Sequence, residues 1–243
     1  IGDEIATFPD YPAEIRAPQG TLGGVSGFQV HIGKGVHTPG DLADVLVAMN
    51  PAALKTNACY VKKGGVVIID SDSFRASDLE KAAFTTDDPI QEAGLSHAQI
   101  VPVAITQMVK DSLADSGLDN KSIVRCKNMF ALGLVCWLFD RPLEQAQHLL
   151  KNKFAKKPAI YEANAKVMRD GYNYGNNIHA SVSTYRVESA QVKPGIYTDV
   201  NGNTATAWGL IAASEKSGLP LFLGSYPITP ATDILHELAK RKD

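Results

Sequence analysis

Gly65-Val-Val-Ile-Ile-Asp70 sets four β-branched apolar residues in a row, with the polar Ser71-Asp-Ser73 straight after them. A strand with one wet face alternates apolar and polar. An unbroken run this short reads instead as a strand buried on both faces, the habit of parallel sheets. Asp44-Val-Leu-Val-Ala-Met49, closed by Asn50-Pro51, reads the same way, and Gln99-Ile-Val-Pro-Val-Ala104 is a third run. Residues 24–32 alternate like a strand and follow the Gly-rich Gly20-Thr-Leu-Gly-Gly24. Short buried strands separated by crossover segments predict an α/β fold with a parallel sheet covered on both faces.

From Ile105 the period lengthens. Residues 105–115, 121–139, 143–157 and 159–170 are expected as successive helices, with Pro142 and Pro158 at helix starts, where a missing N–H costs nothing. Asn173 to Lys193, rich in Ser, Asn and Gly, has no period and reads as a linker. Asn203 is the expected N-cap of a helix through Ser217, which Gly218 stops and Pro220 follows. A strand over 220–225 then leads through Tyr226-Pro-Ile-Thr-Pro230 into a helix over 230–241. That order places Thr229 outside the carboxyl end of a strand, where open α/β sheets bind ligands. The expected division is a domain over 1–178, a linker over 179–195 and the start of a second domain over 196–243. A piece that short buries no core of its own, so it is expected to pack on the first domain or on another chain.

With 243 residues, 44% hydrophobic and 21% charged, the chain has the make-up of an ordinary soluble globular protein. A net charge of −2 offers nucleic acid or an anionic membrane no general attraction. No apolar run approaches the roughly 20 residues that span a bilayer. Cys59, Cys126 and Cys136 make neither a CxxC pair nor a disulfide framework, and a ferredoxin-type cluster needs four closely spaced thiolates. The cytoplasm is therefore the default compartment. The histidines show no HxxxH or HExxH spacing, so no metal site is expected. Gly20–Gly24 lacks the Lys-Ser/Thr of a phosphate loop and precedes a strand, which argues against a phosphate cradle. The opening Ile1-Gly-Asp-Glu-Ile5 reads as if the chain had been cut inside a domain.

Three blocks together resemble one family, the 2-oxoacid:ferredoxin (acceptor) oxidoreductases, in the form whose γ and α parts are fused. The first is Tyr11-Pro-Ala-Glu-Ile-Arg-Ala-Pro-Gln-Gly-Thr21 with Gly24-Val-Ser-Gly-Phe-Gln-Val30, similar to a γ-domain segment. The second is Lys127-Asn-Met-Phe-Ala-Leu-Gly-Leu134. The third, Gly202-Asn-Thr-Ala-Thr-Ala-Trp-Gly209 followed by Tyr226-Pro-Ile-Thr-Pro230, looks like the start of the α domain. The resemblance implies a parallel-sheet γ domain with a helical C-terminal part, followed by the beginning of a thiamine pyrimidine-binding-type α/β domain. It implies oxidative decarboxylation of a 2-oxoacid to an acyl-CoA, with electrons passed to ferredoxin and CoA as co-substrate. 2-Oxoglutarate is the expected substrate, with pyruvate and branched-chain oxoacids as alternatives. Thiamine diphosphate and Mg²⁺ would lie at the interface with a β subunit, and an iron–sulfur cluster on a partner would take the electrons.

Residue by residue, the resemblance makes Thr229 the catalytic position, bonding the substrate carboxylate or a reaction intermediate, and places Tyr226, Pro227, Ile228, Pro230, Gly202 and Asn203 around the cofactor. Arg16 and Lys127 become candidates for substrate or CoA contact. Pattern alone also allows Thr229 as a plain helix cap with Pro230 at the first helical position, and one hydroxyl can do both. Ile228 reads first as core, Asn203 and Gly202 as a turn and cap, Arg16 as a salt-bridge partner of Glu14 or a subunit contact, and Lys127 as an interface or capping residue. The chain departs from the family in lacking an opening Gly-rich loop, in Ala231 after the Pro-Ile-Thr-Pro turn, and in ending before any glutamate that would meet the cofactor's aminopyrimidine. By itself it is expected to be inactive. The alternative function is a non-catalytic assembly module of such a complex. A nicotinamide dehydrogenase would need a GxGxxG turn after a strand, which is missing here.

Overall fold

The computed structural model describes residues 4–10, 25–38, 40, 42–178, 182–188, 193–198, 200–226 and 228–241. They form two compact units, one holding the described residues from 4 to 188 and the other those from 193 to 241.

The first unit begins with an antiparallel ribbon of β1 (Glu4–Asp10) and β2 (Gly27–Gly33), in register from Glu4 opposite Gly33 to Asp10 opposite Gly27. The sequence signalled β2 but not β1. The three apolar runs form the parallel sheet: β3 (Ala43–Ala48), β4 (Val61–Asp70) and β5 (Gln99–Val103), in the order β3-β4-β5. Their side chains divide with period two. Val66 and Ile68 join Val101 and Val103 in one core cluster, while Val67 and Ile69 join Ala48 in another. This is why β4 carries no polar residue between Val66 and Ile69: each face meets a core.

The second cluster lies under the crossovers. α1 (Pro51–Asn57) contributes Leu54 and α2 (Ala76–Lys81) contributes Leu79, with Ile90 of the short α3 (Pro89–Glu92) packed alongside. Asn50 caps α1, its Oδ1 accepting from Ala53 N at 2.8 Å, and Pro51 takes the first turn. The first cluster lies under α4 (Ile105–Ser112), α6 (Lys127–Leu138) and α8 (Pro158–Ile178).

Several boundaries differ from the sequence reading, each for a physical reason. The single helix expected over 121–139 is two, α5 (Asn120–Arg125) and α6. At the break Cys126 N bonds Ile123 O and Met129 N bonds Cys126 O, three-residue spacings that tighten the turn. α7 spans Glu144–Lys153, starting two residues after Pro142. α8 does not stop near residue 170 but runs through the Gly- and Asn-rich stretch to Ile178, held by close packing on α6. Residues 182–188, inside the expected linker, lie on the first unit. Tyr185 stacks on Phe139 at 5.2 Å and donates its hydroxyl to Asp44 O, while Ser183 N bonds Gln99 Oε1.

In the second unit, α9 spans Gly202–Ser217 and α10 spans Thr232–Ala239. Gly218 ends α9 at φ 70, the left-handed cap expected of it. The N-cap is Asn201 rather than Asn203, its Oδ1 accepting from Thr204 N at 2.9 Å. No strand forms over 220–225 among the described residues, because no neighbouring chain segment supplies the ladder that would make one. Among the described residues, no helix is long and apolar enough to cross a membrane.

Candidate functional site

The turn before α10 holds most of the expected site residues. Ile228 O accepts from Thr232 N at 2.9 Å, and Pro230 O accepts from Asp233 N at 3.2 Å. Between these two anchored carbonyls sits Thr229. It is not the helix cap: that place falls to Ala231, which makes no side-chain cap bond. The Thr229 hydroxyl is exposed and makes no hydrogen bond among the described residues, so local structure leaves it uncommitted. Tyr226 and Ile228 beside it are also exposed, 78% and 54%, so Ile228 is not core within this unit.

Across from the turn, Gly202 and Asn203 open α9. Asn203 Nδ2 donates to Pro230 O at 2.9 Å, joining the two blocks of the α-type resemblance directly. A second tie lies further along the helices. Trp208 Nε1 donates to Glu237 Oε1 at 3.2 Å, and Arg241 lies over the Trp208 ring at 5.7 Å. Hydrogen bonds from Lys240 and Trp208 hold the Glu237 carboxyl below its usual value. Pro227 and Arg16 lie outside the described residues.

Lys127 stands in the other unit, at the carboxyl edge of the sheet. Its Nζ lies 3.3 Å from Asp70 Oδ2, and Asp70 is fully buried at the end of the central strand. The same carboxylate accepts from Ser73 Oγ and Thr106 Oγ1, both at 2.8 Å, and from Thr106 N at 3.3 Å. Asp72 accepts from Gln107 N at 2.7 Å. Asp70 at the end of β4 and Asp72 in the turn after it thus cap the first turn of α4, and Lys127 balances the buried charge. Sequence reading missed Asp70. Its signal was available: a carboxylate closing an apolar run has to find donors where it is buried.

Among the described residues no group of three His, Cys, Asp or Glu side chains is arranged to hold a metal ion.

A family model for pyruvate ferredoxin/flavodoxin oxidoreductase matches residues 2–174, well over half of the chain. The chain belongs to the pyruvate ferredoxin/flavodoxin oxidoreductase family. Within this oxidoreductase family it is 47% identical, over its whole length, to the 2-oxoglutarate oxidoreductase subunit KorA of Mycobacterium tuberculosis (strain ATCC 25618 / H37Rv). It covers 37% of that protein, so it spans little more than a third of the relative it matches. Its fold matches a 2-oxoglutarate:ferredoxin oxidoreductase from Magnetococcus marinus, solved with 2-oxoglutarate, coenzyme A and succinyl-CoA bound. The TM-score is 0.68 at 24% identity, over 98% of this chain and 36% of that one. The likeness bears on the fold: an α/β family member with a parallel sheet and a helical part after it.

Proposed function

We propose that the chain is the γ part and the opening of the α part, fused in one polypeptide, of a thiamine-diphosphate-dependent 2-oxoacid:ferredoxin oxidoreductase of the cytoplasm. The reaction is oxidative decarboxylation of 2-oxoglutarate to its acyl-CoA, with electrons leaving for ferredoxin through an iron–sulfur cluster on a partner. The observation that carries this reading is the 47% identity to a 2-oxoglutarate oxidoreductase subunit along the entire chain.

The residues of the α9–α10 unit suit such a site in part. Tyr226 and Ile228 offer exposed apolar surface to a flat heteroaromatic ring, and Thr229 offers an uncommitted hydroxyl beside it. In this reading the Mg²⁺ and diphosphate are held by the β subunit. When bound, thiamine diphosphate supplies the electron sink for loss of CO₂. Thr229 donates to the 2-oxoacid carboxylate, aided by the positive end of the helix that follows. Gly202 lets the start of α9 approach the cofactor closely, and Pro227 and Pro230 shape the turn.

In the γ part, Lys127 and Arg16 are the candidates for CoA phosphate contact. The capping of α4 by Asp70 and Asp72 favours a second role for this part, subunit assembly, since the protein's own carboxylates fill the carboxyl edge of its sheet.

Thr229→Ala in the full-length protein, assembled with its β subunit, is expected to cut 2-oxoglutarate turnover more than about tenfold. Its melting temperature should stay unchanged. A lower melting temperature with intact turnover would reduce Thr229 to a structural role and sink the reading. The chain without its partner is expected to show no micromolar binding of thiamine diphosphate by calorimetry.

A further inference from the structure

Asn203 and Pro230 lie 27 residues apart, and one side-chain hydrogen bond joins them. The family resemblance places Asn203 next to the cofactor, and the sequence pattern makes it a helix cap. The structure gives the cap to a different residue. Asn201 already caps α9, so the Asn203 amide is surplus to its own helix. It donates instead to the carbonyl one residue past Thr229.

Around Thr229 the chain has few other restraints. Its hydroxyl makes no bond among the described residues, and the flanking Ile228 and Pro230 are exposed. On the Ile228 side the turn is closed by Thr232 N, and on the Pro230 side by Asp233 N. Both of those donors belong to α10 or its start, so they fix the turn only relative to α10. Trp208 to Glu237 ties the two helices together but not the turn. Among the bonds described, Asn203 to Pro230 alone fixes the turn relative to α9.

We infer that Asn203 is a positioning residue for Thr229, holding the Thr229–Pro230 turn against the start of α9 so that the hydroxyl meets the substrate at a fixed height. The inference rests on the reading of Thr229 given above. Reacting groups tolerate displacements of well under an ångström, so a lost tether of this kind acts on turnover rather than on folding.

The test is a double-mutant cycle in the full-length protein assembled with its β subunit, assayed with 2-oxoglutarate, CoA and a viologen acceptor. Asn203→Asp keeps the shape, removes the donor and places a negative charge in the first turn of α9, where helices favour it. Asn203→Ala removes the donor without adding charge. Both should lower kcat between about tenfold and a hundredfold, with the KM for CoA and the melting temperature unchanged. In a Thr229→Ala background neither should lower it further.

If Thr229→Ala keeps full turnover, the reading of Thr229 fails and the positioning role fails with it. If Thr229→Ala loses turnover while the Asn203 variants keep theirs, Asn203 is a bystander and only the inference is overturned. If the losses multiply in the double variants, Asn203 acts independently of Thr229, and the inference is again overturned.

Discussion

Asp70 illustrates how a single buried charge organises the first unit. Its carboxylate has no solvent exposure, yet it receives two hydroxyls, one backbone N–H and one ammonium group. Four donors satisfy what desolvation would otherwise penalise. Lys127 is the cationic member, so removing it leaves a buried negative charge without its balance. Lys127→Met is expected to cost about 3 kcal/mol of stability in urea unfolding. Adding Asp70→Asn should restore part of that loss, since the neutral amide no longer needs the cation. A double variant less stable than the sum of the singles would contradict the pairing. Thr229 is the opposite case at the same scale: exposed, with a hydroxyl unbonded among the described residues, and so expected to matter for turnover and not for folding.

Between elements, α6 and α8 cross in close contact. A Cβ on Gly133 would fall 1.9 Å from Met168 O, and one on Gly171 would fall 2.1 Å from Phe130 O. Backbone atoms cannot turn aside as a side chain can, so either methyl forces the helices apart. Gly133→Ala and Gly171→Ala should each cost about 3 kcal/mol, seen as a lower urea midpoint at unchanged slope. Gly175→Ala meets the buried Trp137 ring at 2.2 Å, with Cγ at 2.4 Å, and should cost a similar amount, because tilting the ring about the Cβ–Cγ bond leaves Cγ in place. Glu92 ties α3 to the loop before it and to α1. Desolvation would raise its carboxyl, but N–H groups of Thr85 and Thr86, the Thr85 hydroxyl and Lys55 outweigh it and hold the pKa at about 2. A folded value below the ordinary 4.5 means the contribution is full above 4.5 and fades as pH falls toward about 2. The stability difference between the wild type and Glu92→Gln should therefore be flat above pH 5 and vanish across that window. A difference that persists at pH 2 would exclude the carboxylate as its source.

For the whole molecule, the two units differ in how much they bury. The first has two clusters on either side of a sheet. In the second, Ala207 is the one fully buried residue among those described, and Phe222 is 90% exposed. Residues 193–243 expressed alone should show little helix by circular dichroism and no cooperative melt. The sequence by itself determined the three parallel strands, because a β-branched run buried on both faces is a local pattern readable from Gly65 to Asp70. It also determined the stop at Gly218, a matter of one residue's backbone freedom, and through the Tyr226–Pro230 block it pointed to the turn around Thr229. The tertiary structure alone decided the length of α8, whose Gly-rich end reads as linker until α6 packs on it. It alone decided the distant partners of Asp70, which lie 36 and 57 residues away, and that of Asn203, 27 residues away. Such contacts depend on how elements meet in space, and no short stretch of sequence carries that.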